Sequence, residues 1–496
     1  MKKMNLLVMS LVSAAALSFS SCSSNDDLTS GGTQSQADGV YMTLKISGAT
    51  NHGTRTGVTA DKTTAENGEV DESTITNGML YIYDGNTCVF HKVITADMFK
   101  TAPTQTTPGE TKPIKVAVTG AITTNKTYNV YFLANNTSID DPLADAIFAA
   151  STQGGADFAT AKKFVMFNQN DGTNHADHST VTFTDAAKSE ATPAAAGEIK
   201  LDRVVARIDR PSFAETVTTV TPATDTKTSI NVADVVAGIS YEGFAVSNLN
   251  NNSYVMQNWD ANFKTLSVKW GEPKYSLPKS TYGTLYNAEG LANFDTKEKP
   301  VSWKYAFENT TTDVNDATAV YFKVKVALTE TAMAASDFKD GTFYRYDGRL
   351  YTSIKAIFDN AATGEISNPF TETNSITPAD VVAKITKDGK LTTDETVLAK
   401  FREDYKIEVY RQGVMYYRWA ISDNAYKPFV ASDPTHTYSV LRNSIYRLNV
   451  TKVSEIGKDV PNGPEPDDPV KNPNFYMNVT VSINPWVLNA QPIELK

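Results

Sequence analysis

The feature that most constrains this chain is a strand pattern held apart from the rest by a spacer. From residue 475 to 484 apolar and polar side chains alternate without a break. Phe475, Met477, Val479, Val481 and Ile483 fall on one side, and Tyr476, Asn478, Thr480, Ser482 and Asn484 on the other, which is the period of a half-buried strand. Pro485 interrupts the pattern, and Trp486, Val487, Leu488, Ile493 and Leu495 continue its apolar content. Ahead of it, residues 457–474 are mostly Lys, Asp, Asn, Gly and Pro, with Pro461, Pro464, Pro466, Pro469 and Pro473 among them. Such a stretch cannot pack a core, and its prolines make it a semi-rigid spacer. A strand carried on a spacer has two destinations: the edge of its own domain, or a sheet in another molecule. Burying five such side chains contributes roughly 7–15 kcal/mol gross, and each ladder hydrogen bond adds about 1 kcal/mol. Either destination is therefore well supplied with free energy.

The same pattern occurs once more, near the other end. Val40, Met42, Leu44 and Ile46 share one face, with Tyr41, Thr43, Lys45 and Ser47 opposite. The apolar set matches Met477, Val479, Val481 and Ile483 in size and spacing, so the two segments can occupy one kind of groove. A polar, Gly- and Thr-rich stretch from Gly48 to Ser73 follows. It contains Asn51-His52-Gly53-Thr54-Arg55-Thr56-Gly57, the kind of small, polar loop that proteases prefer. A cut between Arg55 and Thr56 would release the Val40–Ser47 strand and open a groove with two unpaired edges. Upstream, Lys2 and Lys3 precede an apolar run from Leu6 to Phe19, of signal-peptide length. Phe19-Ser20-Ser21-Cys22 then resembles a bacterial lipobox, with Phe19 where leucine is usual and Cys22 as the acylated residue. Residues 23–39 are a polar tether. No other apolar run approaches the ~20 residues that span a bilayer, so the body of the chain is expected to be soluble and outside the cell.

At 496 residues the chain exceeds one ordinary core. Strands are expected at Met79–Tyr83, Ile114–Val118, Tyr128–Leu133, Phe164–Phe167, Val181–Phe183 and Lys200–Ile208. A second set follows at Ser240–Ser247, Ala319–Leu328, Leu350–Phe358, Tyr405–Tyr410, Val414–Ala420 and Tyr438–Val453. Short strands punctuated by Gly, Asn, Asp and Pro suggest a β-sandwich, with a domain boundary within Pro211–Thr228. Arg411-Gln412-Gly413 reads as a tight hairpin. Helical signal is thin, with one short helix expected at Pro142–Ala150 and an ambiguous turn at Asp234–Val236.

A net charge of −10 offers no basic surface for phosphates, which argues against nucleic acid. No catalytic motif is present, and no cofactor or metal is expected. His175-Ala176-Asp177-His178 has no cysteine partner and sits in a polar loop. Asp84-Gly85 and Asp171-Gly172 are turn signals. Cys88, the one cysteine left if Cys22 is lipidated, reads as a buried, inert thiol. Trp259, Trp270, Trp303 and Trp419 read as core rather than as a sugar-binding platform.

On the lipobox, Gly53–Gly57, Leu201-Asp202-Arg203-Val204-Val205-Ala206-Arg207, Val409-Tyr410-Arg411-Gln412-Gly413-Val414-Met415-Tyr416-Tyr417, Leu441-Arg442-Asn443-Ser444-Ile445-Tyr446 and Ile483-Asn484-Pro485-Trp486, the chain resembles the type V fimbrillins of Bacteroidales, specifically the short-fimbria (Mfa-type) major subunit. The acidic residues after Cys22 resemble the surface-export signal of lipoproteins from that group. The resemblance implies an all-β chain of two tandem transthyretin-like β-sandwich domains plus a C-terminal donor-strand extension. It divides the chain into a lipoprotein signal (1–22), a propeptide with the removable strand (23–55), sandwiches at 56–212 and 213–457, a spacer at 458–474 and a donor strand at 475–496. It implies cleavage at Arg55–Thr56 by an arginine-specific protease and head-to-tail polymerisation with other copies of the chain. The donor strand, with Phe475, Met477, Val479, Val481, Ile483, Trp486 and Leu488, would fill the slot vacated by Val40, Met42, Leu44 and Ile46. Accessory anchor and tip subunits, and host or bacterial surface ligands, are the further partners, in adhesion and biofilm formation. The competing reading is a surface glycan-binding lipoprotein of a nutrient-uptake complex that keeps its N-terminus on Cys22; a tip subunit is a second.

Overall fold

The computed structural model describes residues 39–48, 66–67, 69–100, 114–143, 146–149, 153–169, 178–215, 217–221, 231–250, 252–257, 259–260, 265–266, 294, 301–311, 317–371, 376–421, 438–460 and 477–487. Cys22, Arg55, Thr56, Phe475, Leu488, Trp270 and His175–Asp177 lie outside them, as does Asp171-Gly172.

The first ten strands are β1 (Gly39–Gly48), β2 (Glu66–Asn67), β3 (Gly78–Asp84), β4 (Thr87–Ile94), β5 (Ile114–Thr119), β6 (Lys126–Ala134), β7 (Ile147–Ala149), β8 (Met166–Asn168), β9 (Ser179–Phe183) and β10 (Ala194–Arg203). Eight of them form one sheet in the order β4-β3-β6-β8-β10-β1-β5, with β9 also on β6. Alternation places their apolar faces together: Ile114, Val116 and Val118 of β5 are buried while Lys115, Ala117 and Thr119 are exposed. The Asp84-Gly85 signal is the turn it promised, with Gly85 at φ 58° between β3 and β4. Gly78 admits no side chain, since an added Cβ would lie 2.3 Å from the Phe132 ring.

The second sheet is built from β11 (Ala206–Asp209), β12 (Ser212–Phe213), β15 (Trp303–Ala306), β21 (Ser444–Val453), β22 (Met477–Val487) and β2, in the order β15-β11-β21-β22-β2, with β12 also on β21. Beside it, β13 (Val236–Ser247), β16 (Ala319–Leu328) and β20 (Val414–Ala420) make a three-stranded sheet. β14 (Asn252–Tyr254) reaches back to pair with β7. Between β16 and β20 lies a mixed insert: β17 (Phe343–Tyr346), β18 (Arg349–Tyr351), β19 (Glu408–Tyr410) and the helices α2 (Ile354–Thr363), α3 (Pro378–Lys384) and α4 (Glu395–Tyr405). The insert has its own apolar core, in which Ile354, Ile357, Val381, Leu398, Phe401 and Tyr405 are buried. Ser353 caps α2, and Thr377 with Asp380 forms a capping box on α3.

The chain is all-β in its sheets, as expected, with corrections in detail. Lys200–Ile208 is not one strand. It breaks at Val204-Val205, and β10 and β11 lie in different sheets, so the crossing between the two main cores falls ahead of the expected Pro211–Thr228 boundary. Tyr438–Val453 is also broken, at Leu441–Asn443, where Asn443 has φ 55°. Leu350–Phe358 is a short strand followed by α2, because Ile354, Ile357, Phe358 and Ala361 share a helical face. Tyr405 closes α4 rather than opening a strand. Arg411-Gln412-Gly413 is not a hairpin: β19 pairs with β17 and β20 with β16, so the turn switches sheets. Pro142–Ala150 holds β7 rather than a helix, and 232–235 is a single helical turn. None of the described helices is long and apolar enough to cross a membrane.

Candidate functional site

β1 is an internal strand, held on both sides. It runs parallel to β10, with Met42 opposite Ala194 and Ile46 opposite Ile199, and a register shift between Thr43 and Lys45. It runs antiparallel to β5, with Val40 opposite Val118, Met42 opposite Val116 and Leu44 opposite Ile114. Met42, Leu44 and Ile46 are each 0% exposed and Val40 is buried. The four residues form part of one core with Ile114, Val116, Val118, Ile199 and Leu201. Taking β1 away would therefore uncover an apolar slot between β5 and β10 and leave a ladder edge unpaired on each side.

The second patterned segment lies elsewhere. β22 pairs antiparallel with β21, from Met477 opposite Val453 to Pro485 opposite Ser444. Of the expected donor residues, Met477, Val479, Val481, Ile483 and Trp486 lie along this strand. Within one chain the tail thus takes the first of its two destinations, the edge of its own domain. The structure does not bring it together with Val40, Met42, Leu44 and Ile46, which belong to the other sheet.

Between the two sheets runs a buried polar seam that sequence reasoning did not identify. Arg203, 0% exposed, closes β10. Its Nε donates to the Glu72 carbonyl at 2.9 Å, Nη2 to Ser73 Oγ at 3.0 Å and Nη1 to Asn443 Oδ1 at 3.1 Å. Glu72 sits on the short helix α1 (Val70–Ser73), just after β2. Its carboxylate accepts from Arg207 Nη1 at 3.0 Å and from the Tyr305 hydroxyl at 2.9 Å. Asn443 Nδ2 donates to Asp202 at 2.7 Å. Burial pulls the Arg203 guanidinium down to about 9, against the pull of Glu72 and then Asp202, so it is charged at neutral pH. Nearby, Arg442 donates to Glu308 Oε2 at 2.8 Å, to the Val255 carbonyl at 2.9 Å and to the Tyr254 carbonyl at 2.6 Å. A buried guanidinium is tolerated only when its donors are met in this way. The pieces involved are Leu201–Arg207 and Leu441–Tyr446. Their visible signal was arginine set within otherwise apolar runs.

A second anchor fixes the root of the spacer. Arg345 donates to Glu408 Oε1 and to the Ile456 carbonyl, both at 2.9 Å, and Arg402 pairs with buried Asp459. Tyr410 donates to the Gly457 carbonyl at 2.7 Å, and Tyr416 and Lys458 exchange main-chain hydrogen bonds. Burial works against ionisation of Glu408, but Arg345 beside it prevails and holds the carboxyl below its ordinary value. Residues 455–459 are thereby tied to the insert, and an arm that swings must do so from beyond them.

Cys88 is half-buried on β4, its Sγ donating to the Phe90 carbonyl at 3.6 Å. Trp303 is partly buried under the Arg207 guanidinium, 5.0 Å from its ring centroid, and Trp419 packs on the second core. Trp259 lies in a two-residue strand. His178 packs near the Tyr131 ring, and among the described residues no group of three or more His, Cys, Asp or Glu is placed to hold a metal ion.

No curated protein sequence matches the chain. Solved structures resemble it at low identity, among them the following three. A candidate cell adhesion protein of Parabacteroides distasonis is 11% identical at a TM-score of 0.45, over 90% of this chain and 99% of that one. A fimbrilin of Porphyromonas gingivalis is 14% identical at 0.40, over 90% and 98%. The tip fimbrial protein Mfa3 of Porphyromonas gingivalis, truncated at its C-terminus, is 12% identical at 0.34, over 90% and 100%. Residues 408–492 match the family model for the C-terminal part of fimbrillin, the major fimbrial subunit protein type IV. That stretch runs from β19 to just past β22, and so contains the tail strand and the strand that holds it. Over these residues the chain is similar to the C-terminal part of the fimbrillins, the family its motifs resembled.

Proposed function

We propose that the protein is a structural subunit of a surface fimbria that polymerises by donor-strand exchange. In this reading it is exported as a lipoprotein on Cys22, an arginine-specific protease cuts Arg55–Thr56, and β1 departs. The 475–496 segment of a neighbouring copy then enters the slot between β5 and β10, joining subunits head to tail. The observation that carries the reading is the place of β1: an internal strand with Val40, Met42, Leu44 and Ile46 buried, followed in the sequence by the stretch that holds Arg55. An ordinary core strand has no need of a second segment with its pattern waiting on a spacer. Replacing its four apolar side chains with Met477, Val479, Val481 and Ile483 restores roughly 6–12 kcal/mol of burial. Accessory anchor and tip subunits would cap the two ends, and adhesion and biofilm formation would follow from the fibre.

The test is assembly of purified protein cut with an arginine-specific protease. Deleting 475–496 is expected to abolish polymer, and Arg55→Ala to leave a monomer with β1 in place. Normal fibres from either variant would sink the reading. The competing glycan-binding lipoprotein keeps its N-terminus on Cys22, so an extracellular form whose intact mass starts at Cys22 would favour it.

A further inference from the structure

The tail strand is held by two partners, and the handover between them is built into the backbone. β21 pairs with β22 as far as Ser444 opposite Pro485. Asn443, the residue before β21, has φ 55°, which turns the chain off the extended path. Pro485 ends the ladder with a residue that has no N–H. Trp486 and Val487 pair instead with Glu66 and Asn67 of β2, in parallel. Just downstream of β2, α1 is fixed by buried contacts, since Glu72 takes hydrogen bonds from Arg203, Arg207 and Tyr305. β2 therefore hangs from a firm post on the side away from Arg55.

We infer that β2 is a clasp, in which Glu66 and Asn67 hold the far end of the donor strand on its own domain until an acceptor displaces them. The consequence for assembly rests on the fimbrial reading, whereas the clasp itself is a property of the single chain. Because β2 is attached to the post on its downstream side, the clasp outlives cleavage at Arg55. Opening the slot and releasing the donor are then separate steps, and a cut subunit keeps its donor folded away until it meets an open slot. Such retention limits exposure of an unpaired strand edge, which is an aggregation hazard.

Hydrogen exchange read by mass spectrometry on the full, uncut chain tests the clasp directly. In Glu66→Pro/Asn67→Pro the backbone donors of β2 are gone. Peptides covering 477–487 should exchange roughly five- to thirty-fold faster, the equivalent of one or two ladder hydrogen bonds, while β3 and β10 keep their protection. Unchanged exchange at 477–487 overturns the clasp. Since two prolines can also disturb α1, a locked form gives an independent reading. Asn67→Cys/Val487→Cys in a Cys88→Ser background, oxidised and then cut with an arginine-specific protease, should fail to polymerise until it is reduced. Polymer from the oxidised form at the rate of the reduced form overturns the clasp. Faster exchange in the proline variant with no polymer from the cut parent protein supports the clasp and removes the fimbrial reading. Polymer from the cut parent with unchanged exchange does the reverse.

Discussion

If β1 is a temporary occupant, a cavity made in it should cost the precursor dearly and the fibre nothing. Leu44 is the sharpest place to test this. Its side chain is 0% exposed, and Ile114 lies opposite it across the ladder. Leu→Ala at a fully buried site costs about 2–5 kcal/mol, the upper part of the range applying where neighbours cannot collapse into the space. β1 is clamped between β5 and β10, so relaxation is restricted and about 3–4 kcal/mol is expected. That is some two to three orders of magnitude in the folding equilibrium. The assay is urea unfolding of the uncut chain, following the transition of the first core, with parent and Leu44→Ala compared at equal slope. After cleavage the same two proteins are identical in sequence from Thr56 onward, so their fibres should resist denaturant equally. A parent-like midpoint in the uncut variant would refute the burial argument. Weaker fibres from Leu44→Ala would show that β1 stays in the polymer.

Three further outcomes follow from the anchors. Glu72→Gln removes the charge facing Arg207 and should cost about 3–5 kcal/mol, as breaking a buried pair does; calorimetry should show the two main cores melting less cooperatively. Gly413→Ala should lower the thermal midpoint by several degrees, because Gly413 has φ 77° and an added Cβ would lie 2.4 Å from the Val326 carbonyl oxygen, a strain of about 2 kcal/mol or more. Glu408 has a folded pKa held below its ordinary value, so its stabilising contribution is full above the ordinary carboxyl range and is lost as pH falls through the lowered value. Unfolding followed from pH 6 down to about pH 3 should therefore show a loss of stability that Arg345→Met flattens.

Much of the sheet structure was legible because alternation survives wherever one face of a strand is buried. β1, β5 and β9 carry that signal throughout, and β16 carries it in its second half; β3 and β6 were legible instead as continuous apolar runs, buried on both faces. The insert was not legible for an instructive reason. In Leu350–Phe358 apolar residues fall on alternate positions, at 350, 354, 356 and 358, and mimic a strand; the helix shows only once Ile357 and Ala361 are counted on the same face. The N-cap signals at Ser353, Thr377 and Asp394 would have decided the matter. Lys200–Ile208 read as one strand because apolar character runs through Val204-Val205, and only the pairing partners reveal that the chain changes sheets there. Of the candidate site, the two matched segments were visible, since pattern alone defines them. The seam was not. Arg203 and Asn443 are 240 positions apart, and an arginine in a short motif reads as surface until its distant partners are known.

The central claim is that the slot of β1 is refilled by the tail of another copy. Electron cryomicroscopy of fibres assembled from cut protein measures this most directly. The account predicts a chain that starts at Thr56, with Met477, Val479, Val481 and Ile483 of the neighbouring subunit running between β5 and β10. Fibres in which Val40–Ile46 still fill the slot, with Met477–Val487 still on β21 of its own chain, would contradict it.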